Sequence, residues 1–200
     1  MSRQKRKRQK QKSRPQLVAM ILVGSGLLIL GFLALILLPK PDIAPEAKAG
    51  SASSQPSSVP AQVNFTAPVL NLVDLDGKPV SLADFRDQVV LVNNWATWCP
   101  PCKAEMPTLQ AYFEAHRAQR FTIIGIEAGD PASDVGSFVK SFGLTFPVWL
   151  DPNQKALLAF RNPGLPNSYV IDRNGRARLA WTGAISREAL EKYVTPLVEE

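Results

Sequence analysis

The chain has 200 residues, enough for about one domain with additional segments. Its net charge of +6 is concentrated at the N-terminus, because residues 1–16 contain eight of the 23 Lys and Arg residues and no acid. The rest of the chain has 15 basic and 17 acidic residues, which excludes a basic nucleic-acid-binding domain. Two Cys and one His are too few for a disulfide-rich scaffold or a four-ligand structural zinc site.

A run of 22 uncharged, mostly aliphatic residues follows the basic tail, from Leu17 to Leu38. A helix of this length spans about 33 Å, enough to cross the hydrocarbon core of a bilayer. Because the positive charges of residues 1–16 precede the run, we expect a cytoplasmic tail, a retained transmembrane anchor and an extracytoplasmic remainder. A cleaved signal peptide with an Ala-Lys-Ala site at residues 47–49 is the alternative, but the apolar run is long for one.

Residues 39–60 have the composition of a flexible linker. Of these 22 residues, 15 are Pro, Ser, Ala or Gly, and they show no hydrophobic periodicity. We expect this linker to tether the remaining segment, residues 61–200, near the membrane. That segment, about 140 residues long, can bury a core of its own.

Strand and helix patterns alternate along residues 61–200. The first is a hairpin, Val69–Asp74 and Pro79–Ser81 around an Asp-Gly turn. Val89–Val92 is a continuous apolar run typical of a strand buried on both faces, and a helix is predicted at Pro100–Ala118. The next predicted elements are a strand, a helix, a short extended segment, a short helix and two strands paired around an Asn-Gly turn: Phe121–Ile126, Ala132–Phe142, Pro147–Leu150, Asn153–Phe160, Ser168–Asp172 and Arg176–Trp181. Ser186 is predicted to cap a last helix with an inner face of Leu190, Tyr193, Val194 and Leu197. This order predicts an α/β fold with a mixed sheet flanked by helices.

The two cysteines, Cys99 and Cys102, lie at the start of the predicted helix 100–118. Free N–H groups and the helix dipole at a helix N-terminus stabilise an anion, so Cys99 should be the reactive thiolate. Cys102 lies one turn into the helix, where it can close a small disulfide ring with Cys99. Pro100 and Pro101 suit the first helical turn and stiffen that ring. The spacing predicts a redox-active dithiol in which Cys102 resolves a mixed disulfide formed at Cys99.

Other uses of a Cys pair fit this sequence less well. Zinc would need a second Cys pair or a His cluster, and c-type haem attachment needs His where Lys103 stands. A peroxiredoxin-type peroxidase has Thr three residues before its reactive Cys, where this chain has Ala96. Copper chaperones of a thioredoxin-like fold use a C-x-x-x-C spacing and a distant His. An inert structural disulfide is the other alternative; we expect no metal and no cofactor.

The sequence resembles the thioredoxin superfamily and, within it, the membrane-anchored thiol-disulfide oxidoreductases of the TlpA, ResA and CcmG (DsbE) type, which are AhpC/TSA- and redoxin-like. The resemblance covers residues 63–198. The segments that carry it are Ala67-Pro68, Leu75–Gly77, Val90–Trp98, Cys99–Pro107, Phe146–Val148, Leu165-Pro166 and Tyr169–Gly175.

This resemblance implies a thioredoxin fold with an added N-terminal hairpin. It also implies a cis Leu165–Pro166 peptide beside the disulfide, in a loop that binds an incoming chain as an extra strand would. Trp98 directly precedes Cys99 and is expected to cover the disulfide. With Pro100, Pro101 and the Leu165-Pro166 loop it forms the expected substrate-binding surface.

Two positions depart from the family pattern. Asn93 stands where thioredoxin has a buried Asp, and because Asn cannot take a proton, the base for Cys102 must come from elsewhere. The loop after the predicted strand 121–126 offers two candidates, Asp130 and Glu127, and both stay open. Asn94 stands where relatives usually carry Phe, and no role for it follows from the sequence.

The resemblance further implies an extracytoplasmic enzyme that exchanges disulfides with protein thiols, which we expect to be a monomer. Relatives of the ResA and CcmG type are reductants that keep apocytochrome c haem-site cysteines reduced, with electrons from a membrane donor of the CcdA or DsbD kind. We expect the same partners here, together with the lipid bilayer around Leu17–Leu38 and no nucleic acid. The residues alone do not fix the direction of exchange, because it depends on the relative stability of the thiolates and the disulfide.

Overall fold

The computed structural model describes residues 59–200. The predicted tail, the predicted anchor and all but the last two residues of the predicted linker therefore lie outside the described residues. Within residues 59–200, no helix is long and apolar enough to span a bilayer.

Eight strands form a single mixed sheet. They are β1 Ala61–Thr66, β2 Asn71–Asp74, β3 Pro79–Ser81, β4 Val89–Trp95, β5 Phe121–Glu127, β6 Val148–Leu150, β7 Asn167–Ile171 and β8 Arg176–Thr182. Their order across the sheet is β1-β8-β7-β4-β5-β6-β2-β3. Strands β4, β5 and β6 run parallel, and the other neighbouring pairs are antiparallel. The predicted α/β fold with a mixed central sheet is confirmed.

The helices match the predicted positions; α2 has the predicted bounds, and the others are shorter than predicted. They are α1 Pro100–His116, α2 Ala132–Phe142, α3 Lys155–Ala159, α4 Arg187–Ala189 and α5 Thr195–Glu199, with a 3-10 turn at Leu82–Phe85 and a π turn at Leu190–Val194. The predicted last helix is thus three consecutive segments. Its first turn is capped by Ser186, whose Oγ accepts the Ala189 N–H at 3.1 Å. A π turn has more residues per turn than an α-helix, so the residues after it face the core in a different register. Val198 is therefore buried, whereas Leu197, predicted to lie on the inner face, is only partly buried.

The sheet separates two hydrophobic cores. Successive side chains of β4 point to opposite faces. Leu91 and Trp95 belong to the core shared with α1, α2 and the C-terminal helical segments, whereas Val92 belongs to the core shared with α3 and the 3-10 turn. The same alternation puts Asn93 on the α1 face and Asn94 on the α3 face.

The two predicted turns are present, and both place Gly at positive φ. Gly77 (φ 77°) joins β2 to β3, and Gly175 (φ 75°) joins β7 to β8. Strand β1 was not predicted. Its sequence, AQVNFT, alternates apolar and polar residues, but almost all of them are exposed, so hydrophobic burial does not define the strand. It is defined instead by its pairing with β8, from Ala61 opposite Ala180 to Thr66 opposite Arg176.

The C-terminal helical segment ends beside the turn between β7 and β8. The Arg173 guanidinium donates to the main-chain oxygens of Leu197 at 3.0 Å and Val198 at 2.9 Å. Because β7 begins next to the end of β4 and runs antiparallel to it, this turn lies at the sheet end opposite the N-terminus of α1. The C-terminus and the cysteines therefore lie at opposite ends of the sheet.

Candidate active site

A disulfide joins Cys99 and Cys102 where β4 gives way to α1. Cys99 is the N-cap of α1, with extended backbone, and its Sγ accepts the Cys102 N–H at 3.3 Å. The helix begins with Pro100 and Pro101, which suit the first turn because they have no N–H to leave unpaired. The Sγ of Cys99 is therefore held at the positive end of the helix dipole, the position that best stabilises a thiolate.

Both cysteines are nearly closed off from solvent. Cys99 is 3% exposed and Cys102 is 0% exposed, so only Cys99 offers an edge to an incoming group. Trp98 is 64% exposed, and Pro100 next to Cys99 is exposed as well. Whether the indole covers the disulfide when a partner binds stays a prediction. Two apolar side chains, those of Trp98 and Pro100, are thus exposed on either side of Cys99 in the chain.

The Leu165–Pro166 peptide is cis, as the resemblance implies. Pro166 directly precedes β7, whose first residue, Asn167, lies opposite Asn94 of β4. The peptide therefore lies at the sheet end from which α1 begins. Leu165 packs against the core cluster that contains Cys99 and Cys102.

Glu127 is the last residue of β5 rather than part of the following loop, which corrects the sequence-based placement. Its partners in the sheet are Trp95 of β4 and Leu150 of β6, and its side chain is 0% exposed. The carboxyl accepts the N–H of Gly129 at 3.1 Å and that of Asp130 at 2.9 Å. Burial, together with the hydrogen bond and negative charge of Asp130, raises the pKa of Glu127 to about 7, although these main-chain bonds oppose the shift.

Asp130 holds the loop before Cys99. Its Oδ2 accepts the Thr97 N–H at 2.9 Å and the Thr97 Oγ1–H at 2.6 Å. Burial acts to raise the pKa of Asp130, but the bonds from Thr97 and the bond with Glu127 outweigh it, so the pKa is lowered. The two carboxyls therefore act as a pair, in which Asp130 is ionised and Glu127 holds its proton up to about neutral pH.

A third buried carboxyl, Glu105 of α1, was missed as a candidate. It is 2% exposed, and it accepts the Ile185 N–H at 2.8 Å and the Asn93 Nδ2–H at 2.8 Å. Burial raises the pKa of Glu105 to about 7, and these two hydrogen bonds only partly oppose it. The signal was its spacing: Glu105 stands three residues after Cys102 and four before Leu109, so it lies on the inner face of the helix.

Asn93 and Asn94 serve opposite faces of the sheet. Asn93 Nδ2 also donates to Ser168 Oγ at 2.9 Å, so Asn93 links β7 to Glu105. Asn94 Nδ2 donates to Asn167 Oδ1 at 2.8 Å, beside the Leu165–Pro166 loop. Both asparagines are 0% exposed. The structure thus gives Asn94 a partner that the sequence did not reveal.

The fold brings the predicted site residues to one end of the sheet. Cys99 and Cys102 are bonded, Asp130 reaches the loop that leads to Cys99, and Glu127 lies level with Trp95, the last residue of β4. Among residues 59–200, no three His, Cys, Asp or Glu side chains are gathered as a metal site requires. The arrangement can form and break a disulfide, with buried carboxyls nearby that titrate around neutral pH.

Comparison with known proteins gives concordant results. The AhpC/TSA family model matches residues 63–180. The chain is 36% identical over 132 residues to the thiol-disulfide oxidoreductase ResA of Geobacillus kaustophilus. The aligned residues cover 66% of this chain and 76% of that protein. It is 32% identical over 128 residues to the protein of the same name from Bacillus subtilis, covering 64% and 72% respectively.

Solved structures agree in fold. A thiol:disulfide interchange protein of the thioredoxin family from Chlorobium tepidum has a TM-score of 0.62 at 28% identity and covers 69% of this chain and 99% of its own. A secreted thiol-disulfide isomerase from Corynebacterium glutamicum has a TM-score of 0.66 at 24% identity and covers 76% and 96%, which supports the fold alone. With a Cys99–Cys102 disulfide at the start of α1, the chain belongs to the AhpC/TSA family and is a thioredoxin-like thiol-disulfide oxidoreductase of the TlpA, ResA and CcmG type.

Proposed function

We propose that this enzyme is tethered to the membrane by residues 17–38, works outside the cytoplasm and reduces disulfides in polypeptides. The tether and the location are proposed from the apolar run and the charge asymmetry of the sequence. The observation that most supports disulfide exchange with polypeptides is the unequal placement of the two sulfurs. Cys99 Sγ lies at the helix N-terminus with an edge exposed, whereas Cys102 is fully buried behind it. Apocytochrome c-like chains are the proposed targets, and a membrane protein of the CcdA or DsbD kind is the proposed electron donor.

The reaction begins with the dithiol form. The Cys99 thiolate attacks one sulfur of the target disulfide, a mixed disulfide forms, and the other target sulfur leaves as a thiolate that takes up a proton. Cys102 then loses its proton and attacks Cys99 Sγ, which releases the second target thiol. Two electrons and two protons pass to the target, and the enzyme is left with the Cys99–Cys102 disulfide.

The second step needs a group that accepts the Cys102 proton. A base works best when its pKa lies near the working pH, which fits Glu127 and Glu105 at about 7. Asp130 is less suited, because its pKa is lowered and its carboxylate is bound by Thr97. We therefore assign proton transfer to a buried glutamate, Glu127 being the sequence-predicted one, and assign Asp130 to positioning the loop before Cys99.

The charge around Cys99 favours a reductant. A thiol-disulfide pair is strongly oxidising when its thiolate is well stabilised, because the reduced form is then favoured. Here the ionised Asp130 is bonded to Thr97, two residues before Cys99, and its negative charge opposes a thiolate there. The dithiol should therefore give up its electrons more readily than one in a positive environment.

Trapping and redox titration together test this function. In the full-length chain, Cys102→Ser should accumulate a mixed disulfide at Cys99, whereas Cys99→Ser should trap nothing and be inactive. Iodoacetamide should label Cys99 before Cys102 in the reduced wild type. The reduction potential should lie nearer the roughly −270 mV of thioredoxin than the roughly −120 mV of DsbA.

Three results would count against the proposal. Labelling of Cys102 first would reverse the assigned roles, and a potential near that of DsbA would make the enzyme an oxidant. Recovery of the intact chain from the soluble fraction would remove the membrane tether. For proton transfer, Glu127→Gln and Glu105→Gln should each be compared with wild type, since the variant that loses the inflection near pH 7 in the release step identifies the base.

A further inference from the structure

Two buried amides, Asn94 and Asn167, connect β4 to the loop of residues 162–166. The two residues lie opposite each other in the antiparallel pairing of β4 with β7, and both are 0% exposed. Asn94 Nδ2 donates to Asn167 Oδ1 at 2.8 Å. Asn167 Nδ2 in turn donates to the main-chain oxygens of Gly164 at 2.6 Å and Asn162 at 3.2 Å. We call Asn94 and Asn167 the amide relay.

The relay has a fixed direction. An amide side chain has a donor end and an acceptor end, and Asn167 can satisfy both loop carbonyls only if its Nδ2 faces the loop. Asn94 supports that orientation because it offers a donor to Asn167 Oδ1. If the Asn167 amide were turned around, its oxygen would face two carbonyl oxygens. The donor on Asn94 therefore fixes how Asn167 holds the loop.

Stability alone does not explain an amide at position 94. The neighbouring residues on that face of the sheet, Val92 and Ile126, form an apolar core, and Asn94 Oδ1 has no hydrogen-bond partner within residues 59–200. An unpartnered polar atom in an apolar core is unfavourable, whereas an apolar side chain of similar size would have no such group to bury. The contact with Asn167 is the only side-chain hydrogen bond of Asn94 in the described part of the chain.

Several polar groups of the loop are hydrogen-bonded, within the loop or to the end of β8. Asn162 Nδ2 donates to Thr182 Oγ1 at 3.0 Å, and Asn162 Oδ1 accepts the Gly164 N–H at 3.1 Å. The Pro166 carbonyl accepts the Gly183 N–H at 2.8 Å. The N–H and C=O of Leu165 have no hydrogen-bond partner between residues 59 and 200, and Leu165 is only partly buried against the cluster that contains both cysteines.

We propose that Asn94 and Asn167 are positioning residues that hold loop 162–166 so that the main chain of Leu165 can pair with the backbone of an extended polypeptide substrate. The inference rests on the proposed function, because it assumes that polypeptide disulfides react at Cys99. A small disulfide has no backbone to pair with Leu165. The amide relay therefore acts on selectivity for polypeptides and leaves the chemistry of the cysteines untouched.

Kinetics on two substrates test this inference in the full-length chain, purified in detergent. The variant is Asn94→Leu, and the substrates are insulin and bis(2-hydroxyethyl) disulfide. We expect the KM for insulin to rise about fivefold, the factor equivalent to the ~1 kcal/mol of one net hydrogen bond. The kcat for insulin, the rate with the small disulfide and the reduction potential should stay at wild-type values. A side chain with only a structural role would lower both activities together.

Gln110→Leu provides a matched control. Gln110 is also a buried amide, and its Oε1 accepts the Thr145 N–H at 2.8 Å, but it lies on α1 away from loop 162–166. This variant should keep the wild-type KM for insulin. Amide hydrogen exchange adds a direct measure of the loop, because the Gly164 N–H should exchange faster in Asn94→Leu and at the wild-type rate in Gln110→Leu.

If Asn94→Leu does not fold because the Leu side chain does not fit, the same kinetics are measured on Asn94→Ala. An unchanged KM for insulin in the Asn94 variants, or an equal loss on both substrates, would overturn the inference while leaving the proposed function intact. Failure of both Asn94 variants to fold would also overturn it, because Asn94 would then be needed for stability. A wild-type enzyme that reduces the small disulfide but not insulin would refute the proposed function, and the inference with it.

Discussion

Replacing Glu105 by Gln should flatten the pH dependence of stability. Burial raises the pKa of Glu105 from 4.5 to about 7 in the folded protein. Between these two values the unfolded chain has lost this proton while the folded protein retains it, so the free energy of unfolding falls as the pH rises. At about 1.4 kcal/mol per pH unit, the fall reaches roughly 3 kcal/mol by pH 7 and then levels off. The stabilising form is the protonated one, present in full below about pH 4.5.

The Gln side chain is neutral at every pH and can occupy the same network. One of its terminal atoms can still accept the Ile185 N–H, as Glu105 Oε2 does at 2.8 Å. The other is a donor that needs an acceptor, and Asn93 Oδ1 has no partner within residues 59–200. Turning the Asn93 amide would supply that acceptor. We therefore expect Glu105→Gln to match or exceed wild-type stability at pH 8 and to gain no advantage at pH 4.5.

Urea unfolding of the oxidised protein, followed by tryptophan fluorescence between pH 4.5 and 8, measures this difference. The wild type should lose about 3 kcal/mol more than Glu105→Gln across that range. Glu114→Gln is the control, since it removes an exposed carboxylate from the same helix and none from the core. Parallel curves for wild type and Glu105→Gln would show that Glu105 ionises as freely in the folded protein as in the unfolded chain, and the reasoning from burial would be wrong.

Three further predictions concern other parts of the domain. Asp130→Asn should weaken the hydrogen bonds from Thr97 and lower the free energy of unfolding in urea by about 1–2 kcal/mol. Because Asp130 raises the pKa of Glu127, the same variant should shift the pH profile of target release to lower pH. An unshifted profile would show that Glu127 does not accept the proton in that step. Gly125→Ala would place a Cβ 3.0 Å from both Trp95 Nε1 and Phe146 Cε2, and overpacking should lower the free energy of unfolding by about 1–3 kcal/mol in the same assay. Wild-type stability would mean that both rings move aside at no cost. Deletion of residues 1–60 should leave a folded domain with unchanged exchange kinetics toward a small disulfide, and its failure to fold would place part of the predicted linker in the core.

Local patterns predicted much of the fold. The helix Ala132–Phe142 has the predicted bounds, and the Asp-Gly and Asn-Gly turns form the expected hairpins. These features were predictable because turn geometry and helix periodicity depend on residues that are close together in the sequence. Strand β1 was not predicted although its six residues alternate between apolar and polar, because an exposed edge strand depends on its pairing partner, and β8 lies more than 100 residues later in the chain.

The buried polar residues of the site were harder to predict. Glu105 and Asn94 lie on buried faces, where sequence patterns favour apolar residues, and their partners Ile185 and Asn167 come from distant segments. Glu127 was predicted to lie in the loop after the strand, whereas it is the last residue of β5. A polar residue at the end of a buried strand has the same sequence signature as the first residue of a loop. The Cys pair was predictable because its chemistry requires a fixed spacing and a helix start.

The positions at which residues 61–200 begin and end have a practical consequence for anyone who labels or immobilises this enzyme. Strand β1 begins opposite Ala180, close to the end of β8 that flanks the Leu165–Pro166 loop, and it is three strands, or roughly 14 Å, from β4 across the sheet. A bulky fusion attached just before residue 61 would therefore crowd the approach to Cys99. The C-terminal segment is pinned by Arg173 at the far end of the sheet. A fluorophore, affinity tag or surface linkage after Glu200 would leave the approach to the disulfide open.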